Sequence, residues 1–186
     1  NLDNELNKIE AYPYRITEPR LDSFGIGLYS SYALTKSQIF QRCPSCPISI
    51  EAAVQFQNIE INLGVEHPVP PVLPVAAELR NSQLFSLAAG LNEKSGTAIV
   101  MGDLNVSEFS TVFKRLLAQS DLKSVRAGRG LFWSWPTHNP LLAIPIDHIL
   151  YRGVELLELR KGTNIGSDHY PLIAEFCVEA TRTTAD

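Results

Sequence analysis

The segment that most constrains the fold is TAIVMGDLN, residues 97–105. Its apolar run AIVM is continuous rather than alternating, which predicts a short strand buried on both faces. The run stops at Gly102, and Asp103 and Asn105 follow within three residues. A carboxylate at the edge of a core needs a cation or a hydrogen-bonding partner. The segment therefore predicts a layered fold with a polar site where this strand ends.

Apolar spacing predicts the other elements of the chain. Helices are predicted at residues 2–12, 75–91 and 107–120, with Ser107 or Ser110 as the cap of the last one. Strands are predicted at residues 24–34, 48–56, 59–67, 146–153, 154–162 and 171–180. This mixed order with several hairpins favours a pair of packed sheets flanked by helices over a doubly wound parallel sheet.

Composition limits the class of function. The 186 residues are 45% hydrophobic and 19% charged, as in ordinary globular proteins, and they suffice for one domain with a substantial core. The formal net charge of -4 argues against a strong duplex-DNA surface, which uses many lysine and arginine contacts to phosphate. No apolar stretch reaches the roughly 18 residues that a bilayer span requires. No signal peptide is visible in a chain that opens without methionine.

The cysteine pattern leaves two interpretations open. Cys43 and Cys46 lie in RCPSCP, and the third cysteine, Cys177, is far away in the sequence. A four-ligand metal site needs a second pair with suitable spacing, and the sequence has none. A surface loop with two thiols or a local disulfide is the favoured interpretation. A redox or metal-binding role is the alternative.

Polar clusters follow apolar runs at GDLN (102–105), IDH (146–148) and GSDHYPL (166–172). A single Gly-Asp-x-Asn is common at turns, where the polar side chains satisfy backbone groups. Three aspartates in one pocket would instead need a divalent cation, and carboxylate oxygens suit Mg²⁺ or Mn²⁺. A histidine oriented by one carboxylate can face an anionic substrate with its other nitrogen. Together these groups predict a site for phosphate-ester hydrolysis.

These three motifs, in this order and spacing, resemble those of the endonuclease/exonuclease/phosphatase superfamily, in particular bacterial members of unassigned substrate. The resemblance extends through YPYRI, FGIGLYSS, HPVPP, RNSQL and PLIAEF. It implies an α+β fold, a four-layer α/β/β/α sandwich of two mixed β-sheets flanked by helices. It also implies one domain over residues 1–180, incomplete at its N-terminus, and a tail over residues 181–186.

The resemblance implies roles for the residues of the first and second motifs. Asp103 would activate or position the attacking water, and Asn105 would hold a phosphate oxygen or the orientation of Asp103. Asp147 would hydrogen-bond His169 and fix its tautomer. The neighbouring His148 is expected to pack near the site without a chemical role.

The remaining roles fall on the third motif and on the loop after residue 66. Asp168 would be a metal ligand, directly or through water, for Mg²⁺ or Mn²⁺. His169 would contact the scissile phosphate and stabilise charge in the transition state. His67 would be a second contact to phosphate or would protonate the leaving group. The alternative for His67 is a loop histidine that only caps backbone groups.

The sequence departs from the family pattern in two places. The strand-end glutamate that binds metal in the family is missing, since Glu5 and Glu10 lie on a predicted helix. Either the chain begins just after that glutamate, which is the favoured explanation, or the metal site has been lost. In YSSYAL, Ser31 and Ala33 stand where the family usually has arginine and proline. As given, the polypeptide is expected to bind metal weakly.

The predicted function is a metal-dependent phosphoesterase that cleaves a phosphodiester or a phosphomonoester by activated water. Its substrate would be a nucleic acid, a lipid head-group or a small phosphate ester. The alternative is a non-catalytic binding module that keeps the fold. A serine hydrolase is disfavoured because no Gly-x-Ser-x-Gly is present. The motifs do not separate the ester classes.

The loop GRGLFWSWP, residues 128–136, adds aromatic side chains near the predicted site. Trp133 and Trp135 could stack on a base or sugar, dip into a lipid interface, or pack against the sheet edge. The sequence names no compartment. A cytoplasmic location is the default expectation, and an anchor in a preceding segment would instead tether the domain to a membrane or place it outside the cytoplasm.

Overall fold

The computed structural model describes residues 11–178, which form ten β-strands, two α-helices and a short 3-10 helix at Pro140–Leu142. The helices are α1 (Pro74–Asn92) and α2 (Thr111–Ser120). The strands are β1 (Tyr14–Glu18), β2 (Ile26–Ser30), β3 (Leu34–Gln41), β4 (Ile48–Phe56), β5 (Ile59–Val65), β6 (Thr97–Asp103), β7 (Lys123–Ser124), β8 (Asp147–Arg152), β9 (Glu155–Lys161) and β10 (Leu172–Cys177). The helix predicted at residues 2–12, with Glu5 and Glu10, and the domain boundary predicted at residue 180 lie outside the described residues, apart from residues 11 and 12.

Six strands form one mixed sheet in the order β3-β4-β5-β6-β8-β7. Only β5 and β6 run parallel, with Val65 opposite Met101, and α1 makes the connection between them. Antiparallel β8 then lies beside β6, with Asp147 opposite Asp103. The C-terminal ends of β5 and β6 and the N-terminal end of β8 therefore meet at one edge of the sheet.

Both α-helices pack on one face of this sheet. A buried cluster joins Leu84 and Leu87 of α1, Leu116 of α2, Val100 of β6 and Leu150 of β8. Proline is tolerated in the first turn of a helix, and Pro74 begins α1. The Ser110 hydroxyl accepts from Phe113 N at 3.1 Å and caps α2, as one of the two predicted caps.

Two antiparallel strand pairs cover the opposite face. The β1–β2 pair packs through Leu28 on Ile50 and Ala52 of β4. The β9–β10 pair packs on Ile149 and Tyr151 of β8, and Leu156 of β9 is buried in this contact. Because successive side chains of a strand point to opposite faces, β6 and β8 are buried on both sides, as the apolar run of β6 predicts.

The predicted α+β class is confirmed. Residues 11–178 account for one helical layer and two β-layers of the predicted sandwich. In the second β-layer these residues form two separate antiparallel pairs rather than one mixed sheet. The strands predicted at 48–56, 59–67, 146–153 and 154–162 match β4, β5, β8 and β9 within a few residues.

One predicted strand, residues 24–34, contains β2 but extends too far at its C-terminal end. The chain turns at residues 31–33, where the Ser30 hydroxyl accepts from Tyr32 N at 2.9 Å. The turn ends β2 and carries the chain into the other sheet, where β3 begins at Leu34. Strand β3 was not predicted, because this edge strand is mostly exposed and lacks an apolar alternation.

Cys43 and Cys46 form a disulfide, which agrees with one of the two favoured possibilities for this loop. Cys46 is buried, and its sulfur lies 3.8 Å from Leu79 O of α1. None of the helices within residues 11–178 has the length and apolar character required to cross a bilayer.

Candidate active site

The site begins with a close approach between β5 and β6. Glu66 N donates to Met101 O at 3.1 Å and extends the parallel pairing by one residue. Gly102 has a φ of +144°, and a Cβ atom there would lie 2.0 Å from Glu66 O. Only glycine fits this conformation and this contact. The contact brings His67, which follows Glu66, beside Asp103, which follows Gly102.

A tight turn fixes Asp103 and Asn105 relative to each other. Asn105 has a φ of +49°, a left-handed conformation that asparagine tolerates better than most residues. Its backbone N–H donates to Asp103 Oδ1 at 2.8 Å, and its side-chain amide donates to Pro68 O at 2.9 Å. Arg80 Nη1 of α1 donates to Asn105 O at 2.6 Å. The turn is thus tied to the loop after β5 and to α1.

The GSDHY motif supplies an imidazole next to β8. His169 Nδ1 lies 2.8 Å from Asp147 Oδ2, so a protonated Nδ1 donates to this carboxylate. The Asp147 oxygen therefore fixes the tautomer and aims Nε2 away from itself. The Ser167 hydroxyl accepts from His169 N at 3.1 Å.

The segment 134–137 holds the GSDHY loop in place. Tyr170 N donates to Ser134 O at 2.8 Å, and Thr137 N donates to Asp168 O at 2.9 Å. Asp147 N donates to the hydroxyl of the fully buried Ser134 at 3.3 Å. Ser134 thus contacts both the strand that carries Asp147 and the loop that carries His169.

Asp103 lies between two imidazoles. His67 Nε2 and His169 Nε2 are each 3.9 Å from Asp103 Oδ2. These separations are longer than a hydrogen bond, and the three side chains are only partly buried. The three groups therefore surround a small space that is open to the cavity described below.

Burial and charge set different protonation behaviour for the two aspartates. Burial, together with the negative charge of Asp147, raises the pKa of Asp103 to about 6. Burial also acts to raise the pKa of Asp147, but the hydrogen bonds from His169 and Ser134 outweigh it and lower that pKa below its ordinary value. Asp147 therefore stays ionised under conditions in which Asp103 takes up a proton.

The two histidines also differ. The hydrogen bond to Asp147 raises the pKa of His169, and the charges of Asp147 and Asp103 add to this effect. Burial lowers the pKa of His67, and the positive charge of His169 lowers it further. The site therefore favours a protonated His169 next to a neutral His67.

Asp168, the predicted metal ligand, is exposed, and its Oδ2 accepts from Trp135 Nε1 at 3.2 Å. Enzymes of this fold family generally use divalent metal ions. Residues 11–178 contain no group of three histidine, cysteine, aspartate or glutamate side chains placed to hold one. The described donor set does not fit a complete metal centre.

His148 lies beneath the site, as predicted. Its Nε2 lies 2.7 Å from Val106 O and its Nδ1 lies 3.1 Å from Arg126 Nη1, so a neutral ring donates from Nε2 and accepts at Nδ1. Burial and the neighbouring Arg126 lower its pKa to about 3. His148 joins β8 to the loop after β6 and does not line the cavity.

A cavity of about 890 Å³ opens over the reacting groups. Its polar lining includes His67, Asp103, Asn105 and His169, together with Arg80. Arg80, the first residue of RNSQL, had no predicted role. Arg80 occupies the buried stripe of α1 that continues at Leu84, Leu87 and Leu91, and a polar residue on such a stripe was the available signal.

The fold and the strand-end cluster define the class of the chain, a layered α+β protein with a polar site at one edge of its mixed sheet. The chain belongs to the endonuclease/exonuclease/phosphatase family, because the family model matches residues 2–169. A UPF0294 protein of Vibrio parahaemolyticus is 27% identical over 172 residues, which cover 90% of this chain and 50% of that protein. A UPF0294 protein of Vibrio campbellii is 27% identical over 170 residues, with the same shares. The chain thus spans about half the length of the curated relatives it matches.

Solved structures share the fold at low sequence identity. D. rerio TDP2, in complex with a single-strand DNA product, has a TM-score of 0.77 and 15% identity, covering 95% of this chain and 81% of that one. The human nocturnin catalytic domain with bound sulfate has a TM-score of 0.75 and 17% identity, covering 95% and 76%. The Neisseria 3′ phosphatase NExo, bound to a product DNA hairpin, has a TM-score of 0.72 and 15% identity, covering 93% and 82%. These likenesses show the fold.

Proposed function

We propose that this chain is a phosphoesterase that hydrolyses a phosphodiester or a phosphomonoester with a water molecule activated at Asp103. The observation that carries the proposal is the position of His67 Nε2 and His169 Nε2, each 3.9 Å from Asp103 Oδ2. A water molecule on the cavity side of these atoms can hydrogen-bond to Asp103 Oδ2, while the two imidazoles face a phosphoryl oxygen in the cavity. A carboxylate base flanked by two imidazoles is a suitable arrangement for hydrolysing an anionic ester.

Asp103 is the proposed general base. Its pKa of about 6 leaves it mostly ionised at neutral pH yet basic enough to accept a proton. As the water oxygen bonds to phosphorus, the water proton passes to Asp103 and the bond from phosphorus to the leaving oxygen breaks. Asn105 holds the carboxylate through its backbone N–H, which donates to Oδ1 and leaves Oδ2 for the water.

The two histidines have separate proposed tasks. His169, whose pKa is raised by Asp147, presents a positively charged Nε2 to the phosphoryl oxygens as negative charge builds up on them. Asp147 fixes the orientation of that ring. His67, which the site keeps neutral, contacts a phosphate oxygen, and the leaving oxygen takes a proton from solvent and departs as an alcohol.

Asp168 is the proposed carboxylate ligand of Mg²⁺ or Mn²⁺. Magnesium commonly keeps several waters and uses one or two carboxylates together with substrate phosphate. Because residues 11–178 do not supply a group of three ligands, no chemical step is assigned to the ion. The residues described above bind the ester, orient it and accept the proton of the water molecule.

The same observation favours the second candidate, a non-catalytic module that binds a phosphate ester. A site with a base and two imidazoles but an incomplete metal centre would still attract an anion. The two candidates differ in turnover. If the chain is an enzyme, it hydrolyses the ester and product formation depends on Asp103. If it is a binding module, it binds the ester and forms no product.

A panel of phosphate esters tests the proposal. The purified protein is incubated with Mg²⁺ or Mn²⁺ and a generic diester, a generic monoester, single-stranded DNA or sphingomyelin. Hydrolysis of at least one ester is expected, with a loss of about 100-fold or more in Asp103→Asn and His169→Ala. Glu155→Gln, which changes an exposed carboxylate on β9, is the matched control and is expected to keep full activity. Equal rates in all four proteins would reject the site.

A further inference from the structure

The reacting groups occupy only part of the cavity above them. Its volume of about 890 Å³ is in the range of pockets that hold whole drug-sized ligands, about 300–1,000 Å³. The rest of its lining is mainly apolar or aromatic, including Phe24, Val72, Val106, Trp135, Ile144 and Ile146. The cavity therefore has room and an apolar wall for a group attached to the phosphate.

Apart from the imidazoles of the site, positive charge in this cavity is limited to one side chain. Of the described residues that line it, Arg80 is the one lysine or arginine. Its Nη1 already donates to Asn105 O, and its Nε donates to Asn81 Oδ1. A nucleic-acid strand carries a phosphate at every nucleotide and is held by a series of cations along its backbone. The lining offers no such series.

The aromatic rings of the lining are already in contact with the imidazoles. The Phe24 ring lies 5.4 Å from the His67 ring, centroid to centroid. The Trp135 ring lies 6.2 Å from the His169 ring, and its Nε1 donates to Asp168. Both rings add apolar surface to the wall of the cavity.

Apolar side chains also continue from the wall into solvent. Val72 and Ile144 line the cavity and are 79% and 40% exposed. Leu141 and Leu142, three and two residues before Ile144, are 96% and 68% exposed. Single exposed apolar residues are ordinary, but a group next to a cavity mouth is typical of a site for an apolar ligand.

Resting on the proposed function, we infer that the substrate is a phosphate ester of a lipophilic alcohol. Its phosphoryl group lies against Asp103 and His169, and its alkyl chain lies along the apolar wall at Val72, Val106 and Ile144. The apolar wall binds the alkyl chain, and Arg80 adds one countercharge to the contacts that the imidazoles make with the phosphoryl group. Hydrolysis adds water across the P–O bond and releases a phosphate and an alcohol, with no other reactant.

A chain-length series tests this inference. The substrates are methyl, butyl and hexyl p-nitrophenyl phosphodiesters, each below its critical micelle concentration, and an oligothymidylate. A buried methylene contributes about 0.8 kcal/mol, so kcat/KM is expected to rise at least about tenfold from methyl to hexyl. In the double variant Val72→Ser, Ile144→Thr, the ratio of kcat/KM for the hexyl ester to kcat/KM for the methyl ester is expected to fall at least threefold. Val75→Ser, an exposed valine outside the cavity lining, is the matched control.

The outcomes separate the two proposals. Equal kcat/KM for methyl and hexyl esters, or a higher value for the oligothymidylate, would overturn the inference and leave the proposed function standing. A proportional loss on every ester in the double variant would also overturn it, because the side chains would then serve the fold. If no ester is hydrolysed, the proposed function fails, and calorimetry with methylphosphonate and hexylphosphonate still decides the inference. Tighter binding of hexylphosphonate by the parent than by the double variant supports the lipophilic wall, and equal binding rejects it.

Discussion

Asp103 and Asp147 are direct partners across the antiparallel pair of β6 and β8, at the edge where both strands meet the cavity. Adjacent carboxylates on one face repel each other when both are ionised, and the proton goes to the one with fewer hydrogen bonds. Burial and the charge of Asp147 raise the pKa of Asp103, whereas the hydrogen bonds from His169 and Ser134 outweigh burial and lower that of Asp147. The pairing supports the proposed roles of Asp103 as the base and of Asp147 as the residue that orients His169.

The first prediction concerns Asp147. Asp147→Asn removes the charge that raises the pKa of His169, so the imidazole pKa is expected to fall, as measured by NMR titration of the ring. With the ring less often protonated and less firmly oriented, kcat is expected to drop about 100-fold, whereas KM changes little. Glu158→Gln, an exposed carboxylate on β9, is the control. An unchanged His169 titration in Asp147→Asn would contradict this account.

The second prediction is a pH profile. Asp103 must be ionised to accept a proton, and its pKa is about 6. We expect kcat/KM to rise tenfold per pH unit below about pH 6, to level off above it, and to fall again at higher pH where His169, whose pKa is raised by Asp147, loses its proton. The measurement is a set of initial rates on a generic diester between pH 4.5 and pH 8.5, where the buffers are matched in ionic strength. A rate that is flat across pH 6 would show that Asp103 is not the base.

The third prediction concerns stability in acid. Folding lowers the pKa of the buried His148 from 6.5 to about 3, so between these values the unfolded chain binds a proton that the folded chain does not. The contribution of neutral His148 is therefore complete above about pH 6.5 and is lost as the pH falls toward 3, with a slope of up to about 1.4 kcal/mol per unit. In His148→Gln, the free energy of unfolding by urea is expected to be lower at pH 7 but less dependent on pH. His138→Gln, an exposed histidine, is expected to follow the parent, and identical pH slopes in all three proteins would contradict the prediction.

The fourth prediction concerns the contact between Gly102 and Glu66. A Cβ at Gly102 would lie 2.0 Å from Glu66 O, so Gly102→Ala must push β5 and β6 apart at the site. We expect a loss of at least about 3 kcal/mol in the free energy of unfolding. Gly96→Ala is the matched comparison, because its φ is +94° and nothing lies within 4 Å of the added atom. The free energy of unfolding of Gly96→Ala is expected to fall by about 1 kcal/mol. Similar losses in the two variants would show that the contact with Glu66 O is not the cause of the loss in Gly102→Ala.

The fifth prediction concerns Asp168. If its carboxylate binds the metal, Asp168→Asn is expected to raise the Mg²⁺ concentration needed for half-maximal activity about tenfold. Chelation by EDTA is expected to remove the activity, and added Mg²⁺ is expected to restore it. The control is Asp121→Asn, which changes an exposed aspartate at the end of α2. A magnesium titration of Asp168→Asn that coincides with that of the parent would exclude Asp168 as a ligand.

The strands of the core could be predicted because their apolar patterns are strong. The run in β6 is continuous, and β4 and β5 flank a short turn, so composition and spacing were enough. The edge strand β3 could not be predicted, because an exposed edge carries no apolar alternation. The turn at residues 31–33 was missed because local hydrogen bonding by Ser30 overrides the strand-like composition around it.

The site was partly predictable for a similar reason. Asp103, Asn105 and His169 lie in recognisable motifs, and the structure brings them together with Asp147 and His67. Their roles remain predictions. Arg80 and Ser134 act through contacts between distant segments, and such contacts depend on register and packing that a single sequence does not encode locally.

The turn at Asp103 and Asn105 is bonded to Pro68 and to Arg80, two segments that are far from it in sequence. A turn anchored in this way has little freedom to adjust to the molecule that enters. New specificities within such a scaffold must therefore arise from replacements at the mouth, such as Val72 and Ile144, whose side chains reach solvent and constrain nothing else. The anchored turn at Asp103 and Asn105 would then change slowly in evolution, whereas substrate preference could change faster through residues at the mouth of the cavity.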